Sequence, residues 1–332
     1  MDARDWLEVM RHEYLDDFVR EGGAVVKFVV PADEAGRLQV REGLRQAAAQ
    51  GGFQFATVDA STTKLHLIDQ LFHEVARQVE WDALAKACLR RYLAEMGFRL
   101  PDDDGDRGER LTLSALADLN DMPESLFHGE VTRGVSNRLY RDQAMSREFR
   151  LAMIRLCLAH LDPHGDPALI EAVRQWLRGE LRLVSALKRA LIFQRIARHN
   201  ARHMLLSLAH WLTLAGKSGL VLALDIARYG DAARPRDRGA GLYYSTAACI
   251  DMYEVLRQLI DAADEIESGF VGVLAGPEAL HDERRGLRSY QALYLRIADE
   301  VRDRYRPNAR SALVRLSPSA TRLTPEATAV AS

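Results

Sequence analysis

The feature that most constrains the fold is a pair of short apolar runs separated by one helix-length segment. AVVKFVV (24–30) and FQFATVDAS (53–61) bracket residues 37–50, which have helical composition and stop at Gly51-Gly52. A buried strand, the turn-like PADEAG (31–36), a helix and a second strand make a βαβ unit. Parallel strands need such crossovers, and the crossovers lay helices on the sheet's faces, so the core is expected to be a parallel sheet covered by helices. Three later apolar runs extend it: SGLVLALDIA (218–227), GFVGVLAG (269–276) and SALVRL (311–316).

Helical periodicity fills most of the rest. Trp6, Leu7, Met10, Tyr14, Leu15 and Phe18 share one face of a helix over 2–20. Between the second and third strands, residues 63–216 read as almost wholly helical, with periodic segments at 64–80, 83–97, 144–161, 167–178 and 183–216. Further helices are expected at 245–265 and 288–304. The fold class is therefore α/β: a P-loop NTPase-like parallel sheet flanked by helices, with a large helical insertion between the second and third strands. Residues 1–62 and 217–316 would form the discontinuous core and 63–216 the insertion, while 317–332, small, polar and Pro-containing, would be disordered.

A formal net charge of −2 gives no global basic field for nucleic acid or anionic lipid, so any such contact would need a local patch. Cys88, Cys157 and Cys249 lie far apart without a CxxC pair, which argues against disulfide scaffolds and thiolate zinc sites. The first residues are too charged for a signal peptide and no apolar run approaches a membrane span, so a cytoplasmic location is expected. The acidic loop 101–110 resembles a calcium loop only superficially, since its Gly is misplaced and no Glu closes the pattern.

The junction of the first strand and helix is where a P-loop protein would place GxxxxGK[ST], whose backbone N–H groups cradle phosphate while Lys neutralises it and the hydroxyl holds magnesium. Here the eight positions are Pro31, Ala32, Asp33, Glu34, Ala35, Gly36, Arg37 and Leu38. One glycine and one cation survive. Pro31 removes a backbone donor, and Leu38 offers no oxygen. Asp33 and Glu34 put negative charge beside the expected phosphates. Two unit charges about 4 Å apart repel by about 4 kcal/mol at an effective dielectric of about 20. In the third run Asp225 stands where a metal-orienting Asp belongs, but Ile226 occupies the place of the water-activating Glu. Pro277 follows the fourth strand where a polar sensing residue is expected.

In order, KFVVPADEAGR, FATVDAS, GKSGLVLALDIARYG, YEVLRQLIDAAD and GVLAGPEALHDERRGLRSYQALYLRIAD resemble the AAA+-like ATP-binding proteins encoded beside bacteriophage-exclusion (BREX) and related phage-defence systems. The resemblance runs over residues 8–316 and is most specific at 216–226 and 269–296. Members of that family typically carry a lysine-containing loop, a DE pair and a Thr after the AG of the later strand. This chain departs at each position, and it ends before the helical lid that such members usually carry. The resemblance therefore implies a degenerate member without a cofactor: a scaffold or regulatory subunit that assembles with other proteins of a defence system, an active ATPase or helicase among them. The alternative is a weak ATP and magnesium binder, or an ATPase completed by a partner, with Arg37 and Asp225 as its remaining pocket residues.

Three other constellations carry chemistry. Lys188, Arg189, Arg195, Arg198 and Arg202 form a basic stretch, the last three expected on one helical face, and offer either a nucleic-acid contact or a plain solvated surface. Arg284, Arg285 and Arg288, with Arg296 beyond, could act in trans on a partner's phosphate or simply bridge Asp282 and Glu283. His199, His203 and His210 have metal-compatible spacing on one helix, but the HExxH general base is missing, which leaves a polar helix face as the plainer reading.

Overall fold

A computed structural model describes residues 1–101, 112–161, 165–227, 242–298 and 308–318. The acidic loop 101–110 and the tail 317–332 therefore lie almost wholly outside the described residues.

The five expected strands form. They are β1 (Ala24–Val30), β2 (Gln54–Asp59), β3 (Leu220–Asp225), β4 (Gly269–Leu274) and β5 (Leu313–Arg315), arranged as one sheet in the order β2-β3-β4-β1-β5. Each neighbouring pair is parallel. Every residue of β3 and β4 is buried. Central strands covered on both faces have no solvent side, which is why their sequences are continuous apolar runs rather than alternating ones. Gly219 sets the start of β3: at φ +131 it passes so close to Ser268 that a β-carbon would lie 2.0 Å from the Ser268 carbonyl oxygen. Only glycine combines that backbone angle with that approach.

The sheet separates two layers. On one face α1 (Ala3–Val9), a π-helical continuation (Met10–Phe18) and α2 (Glu34–Gly51) bury Trp6, Met10, Leu15, Val40 and Leu44 against Val29, Val221 and Phe270. The expected N-terminal helix thus changes pitch midway, marked by the Val19 N–H donating to the Tyr14 carbonyl at 2.7 Å. There Tyr14 accepts a 2.9 Å hydrogen bond from the buried Lys27 ammonium of β1, which also donates to the Arg310 carbonyl at 2.5 Å. Lys27 would be a costly interruption of β1 without these partners.

Between β2 and β3 the chain runs through α3 (Ile68–Arg77), α4 (Trp81–Glu95), α5 (Leu113–Leu119), α6 (Glu124–Arg141), α7 (Arg147–Leu158), α8 (Pro167–Arg178) and α9 (Arg198–Leu214). After β3 come α10 (Thr246–Asp261) and α11 (Gln291–Ile297). The helices cover the second face, and one continuous set of buried side chains joins them to it, from Phe28, Val58, Leu224 and Val273 to Phe72, Trp81, Phe149 and Trp211. Neither α5 nor α6 is among the sequence-read segments, although Phe127, Val131, Val135 and Leu139 recur every four residues and are all fully buried.

The segment 183–216 is not one helix. A 3-10 turn over Val184–Ala190 ends at Leu191 in the left-handed region, φ 60, and α9 begins only at Arg198. The burial pattern fits the break: Ala190 and Ile192 are buried while Leu191 and Phe193 are exposed, a period-two alternation that a helix does not sustain. Asn200 then organises the new start by accepting the Ala197 N–H at 2.8 Å.

His210 of α9 links the helical layer to the sheet. One ring nitrogen meets Asp142, which ends α6, at 2.8 Å, and the other is bonded to Glu267, just before β4. Burial disfavours its charge, but the two carboxylates outweigh burial and raise its pKa. A raised folded-state value stabilises the fold fully below the unfolded pKa of about 6.5 and is lost as pH rises through the folded value. The stability contributed by His210 should therefore fall as pH rises above about 6.5, and melting curves of the wild type and His210→Gln should converge as that contribution is lost.

Candidate functional site

A cleft of about 250 Å³ opens at the carboxyl ends of the strands, lined by Pro31, Asp33, Glu34, Arg37, Ala227, Ala275, Gly276, Pro277 and Glu278. This end is where open α/β sheets bind their ligands. The three walls are the β1–α2 connection, the residues after β3 and those after β4.

The first wall differs from the sequence-based frame. β1 ends at Val30 and α2 starts at Glu34, so only Pro31, Ala32 and Asp33 lie between them. Glu34 to Leu38 are wound into the first turns of α2 and cannot form the broad loop that lays successive N–H groups around a phosphate. Asp33 caps the helix, its carboxylate accepting the Gly36 N–H at 2.7 Å. The N-terminal amides that favour an anion thus already hold one, supplied by the chain itself.

Arg37, the remaining cation, is equally committed. It is buried beneath the cleft, with one guanidinium nitrogen bonded to Asp225 and the other groups donating to Glu34 at 3.1 and 2.5 Å. Burial works against its charge, but the hydrogen-bonded Glu34 and the nearby Asp225 outweigh it and raise its pKa. Asp225 closes β3 and is 1% exposed. Burial pushes its carboxyl above the usual carboxylate range, while Arg37 and the Ala227 N–H, at 3.1 Å, pull it back. Asp59, its partner across the β2–β3 pair, adds a like charge.

The other expected pocket residues fall elsewhere. Ile226 is fully buried and its N–H continues the ladder to the Leu274 carbonyl at 2.8 Å, so its side chain is core. Leu38 is 42% exposed on the outside of α2 and does not line the cleft, because a helix turns it away from the strand ends. Glu278, which the sequence reading did not single out, does line it. Its signal in the sequence is the AGPE that follows β4, a carboxylate directly after Pro277 at a strand end. The cleft therefore gathers Asp33, Glu34 and Glu278 around a single arginine already paired below.

The basic stretch does not form one helical face. Lys188 and Arg189 sit in the 3-10 turn, and Arg189 pairs with Asp166 at 2.5 Å. Arg195 precedes α9 and donates to the Arg182 carbonyl; Arg198 starts the helix, and Arg202 pairs with Glu265 at 2.6 Å. Among the later arginines, Arg284 and Arg288 are exposed, whereas Arg285 donates to the Tyr244 carbonyl at 2.6 Å and Arg296 pairs with Asp261 at 2.6 Å. Arg288 lies 5.5 Å over the Tyr294 ring. Asp282 accepts the backbone N–H groups of Arg284 and Arg285. His199 and His203 line a groove with Arg202 and Glu265, apart from the doubly bonded His210. Among the described residues no group of three or more His, Cys, Asp or Glu is placed to hold a metal ion.

An all-parallel sheet with a cleft between the first strand–helix junction and the ends of β3 and β4 is consistent with a P-loop-like α/β protein. The family model for the BREX system ATP-binding protein BrxC/D matches residues 8–327, and the chain belongs to that family. No curated protein and no solved structure matches it.

Removing Arg37 alone strands a buried carboxylate. Arg37→Ala should cost about 3–5 kcal/mol in urea denaturation, whereas Arg37→Met combined with Asp225→Leu should recover most of that loss. Asp33→Ala, which removes only the cap, should cost about 1 kcal/mol.

Proposed function

We propose that the chain is a non-catalytic member of its family that serves a phage-defence complex by binding other subunits rather than by turning over nucleotide. The observation that carries this reading is the internal neutralisation of the phosphate site. Arg37 is consumed by Asp225 and Glu34, and the Asp33 carboxylate occupies the N-terminus of α2. Among the described residues, a polyphosphate entering the cleft would meet Asp33, Glu34 and Glu278 and a single cation, Arg37, that is already paired. The residue following Asp225 is a buried isoleucine, which cannot accept a proton from water.

The family's description, a component of the BREX system, makes protein partners the natural targets, with an active ATPase or helicase among the candidates. Among the described residues no helix is long and apolar enough to cross a membrane, and we place the protein in the cytoplasm on the strength of the system it serves.

Calorimetric titration of magnesium-ATP into the purified chain tests the reading. No saturable heat and no phosphate release are expected at nucleotide concentrations up to the millimolar range. Saturable binding with a micromolar Kd, or turnover abolished by the folded Arg37→Met/Asp225→Leu variant, would refute it.

A further inference from the structure

From Leu181 to Leu224 the chain carries seven Lys or Arg residues and no Asp or Glu. Its outermost part is the connection between α8 and α9, where Leu183, Leu191 and Phe193 are 69%, 49% and 62% exposed. Leu191 is held outward by a left-handed backbone, while Leu187, Ala190 and Ile192 beside it are buried. The Arg195 side chain donates to the Arg182 carbonyl, which brings the two arms bearing Leu183 and Phe193 together. Among the described residues neither Arg182 nor Lys188, both exposed, forms an ion pair.

Exposed apolar side chains framed by cations fit an acidic surface that carries an apolar group of its own. The same chain presents one. Residues 2–21 contain seven Asp or Glu against three Arg. At the end of the π-helical segment Asp16, Asp17, Phe18 and Glu21 are all exposed, with Phe18 at 47%. The two patches rest on opposite layers. Leu187, Ile192 and Ile196 anchor the basic connection in the core beneath the helical layer, whereas Met10, Leu15 and Val19 anchor the acidic segment in the core on the other side of the sheet. They cannot meet within one molecule, but they can meet between two.

We propose that copies of this chain associate head to tail, the basic connection around Leu183, Lys188 and Phe193 of one copy docking on Asp16, Asp17 and Phe18 of the next. Such a contact is heterologous: each added copy leaves one patch of each kind free, so the assembly closes into a ring or grows as a filament. Two of the three apolar groups are leucines, which have no π-face for a base to stack on, and this favours a protein surface over single-stranded nucleic acid. The inference does not depend on whether the cleft binds nucleotide.

Sedimentation velocity on the purified full chain at low ionic strength, over a rising concentration series, reads the association directly. The wild type should pass from monomer to multiples and return toward monomer as salt is added. Lys188→Glu/Phe193→Glu and Asp16→Ala/Asp17→Ala should each stay monomeric. An equimolar mixture of the two variants should form a dimer and nothing larger, because one intact patch of each kind remains. That dimer also shows that both variants are folded. A monomeric wild type, variants that associate like it, or a mixture that stays monomeric would overturn the proposal. So would single-stranded DNA binding lost in Lys188→Glu/Phe193→Glu when the wild type does not self-associate.

Discussion

The buried pairing of Arg37 with Asp225 decides what the carboxyl end of this sheet can do. It joins the first turn of α2, which follows β1, to the end of β3, with β4 lying between those strands. Two charges withdrawn from water are tolerated only when their remaining hydrogen-bonding capacity is met. Glu34 meets it for the guanidinium and the Ala227 N–H for the carboxylate. A phosphate that captured Arg37 would have to leave Asp225 buried and unpaired, at a cost of about 3–5 kcal/mol. Each 1.4 kcal/mol is a factor of ten in affinity, so a site of otherwise micromolar strength would be weakened to about the millimolar range.

The same end of the sheet shows how little the strands depend on what lies beyond them. β3 and β4 are buried along their whole length, and the β-carbon that Gly219 lacks is the one that would strike Ser268. Those constraints come from packing on both faces and are indifferent to what lies beyond the strand ends. The residues after the strands face fewer packing demands, so Pro31, Pro277 and Glu278 can stand there without disturbing the layers beneath.

What was legible in the sequence follows that division. The strands were read almost to their boundaries, because continuous β-branched runs such as AVVKFVV leave little else for a doubly covered strand to be. Pro31 and Ile226 were legible by residue type alone, as a position without a backbone donor and one without a proton acceptor. Arg37 was visible as a cation, but its partner lies 188 residues away in sequence and only the sheet register brings them together. The loop frame over 31–38 was misjudged for a local reason: Asp33 caps the helix three residues ahead of Gly36, which winds the expected loop into α2. The segment 183–216 is not continuous helix because its apolar residues suit helical spacing loosely, while Ala190 and Ile192 both turn inward with Leu191 outward between them. The clamp on His210 joins Asp142 and Glu267 from separate elements, and no local pattern announces it.

The short connection between β1 and α2 and the inward pairing of Arg37 belong together physically. A three-residue connection leaves no room for a cradle of N–H groups, and an arginine left at the mouth of an empty cradle would face Asp225 and Glu34 with nothing else to bind. Turned inward, Arg37 is a buried counter-ion for Asp225. The helix N-terminus was likewise satisfied by Asp33. The helix N-terminus and the buried charges are thus satisfied from within the chain. Ile226→Glu would add a carboxylate to the buried neighbourhood of Asp225, where the one cation lining the cleft among the described residues, Arg37, is already paired.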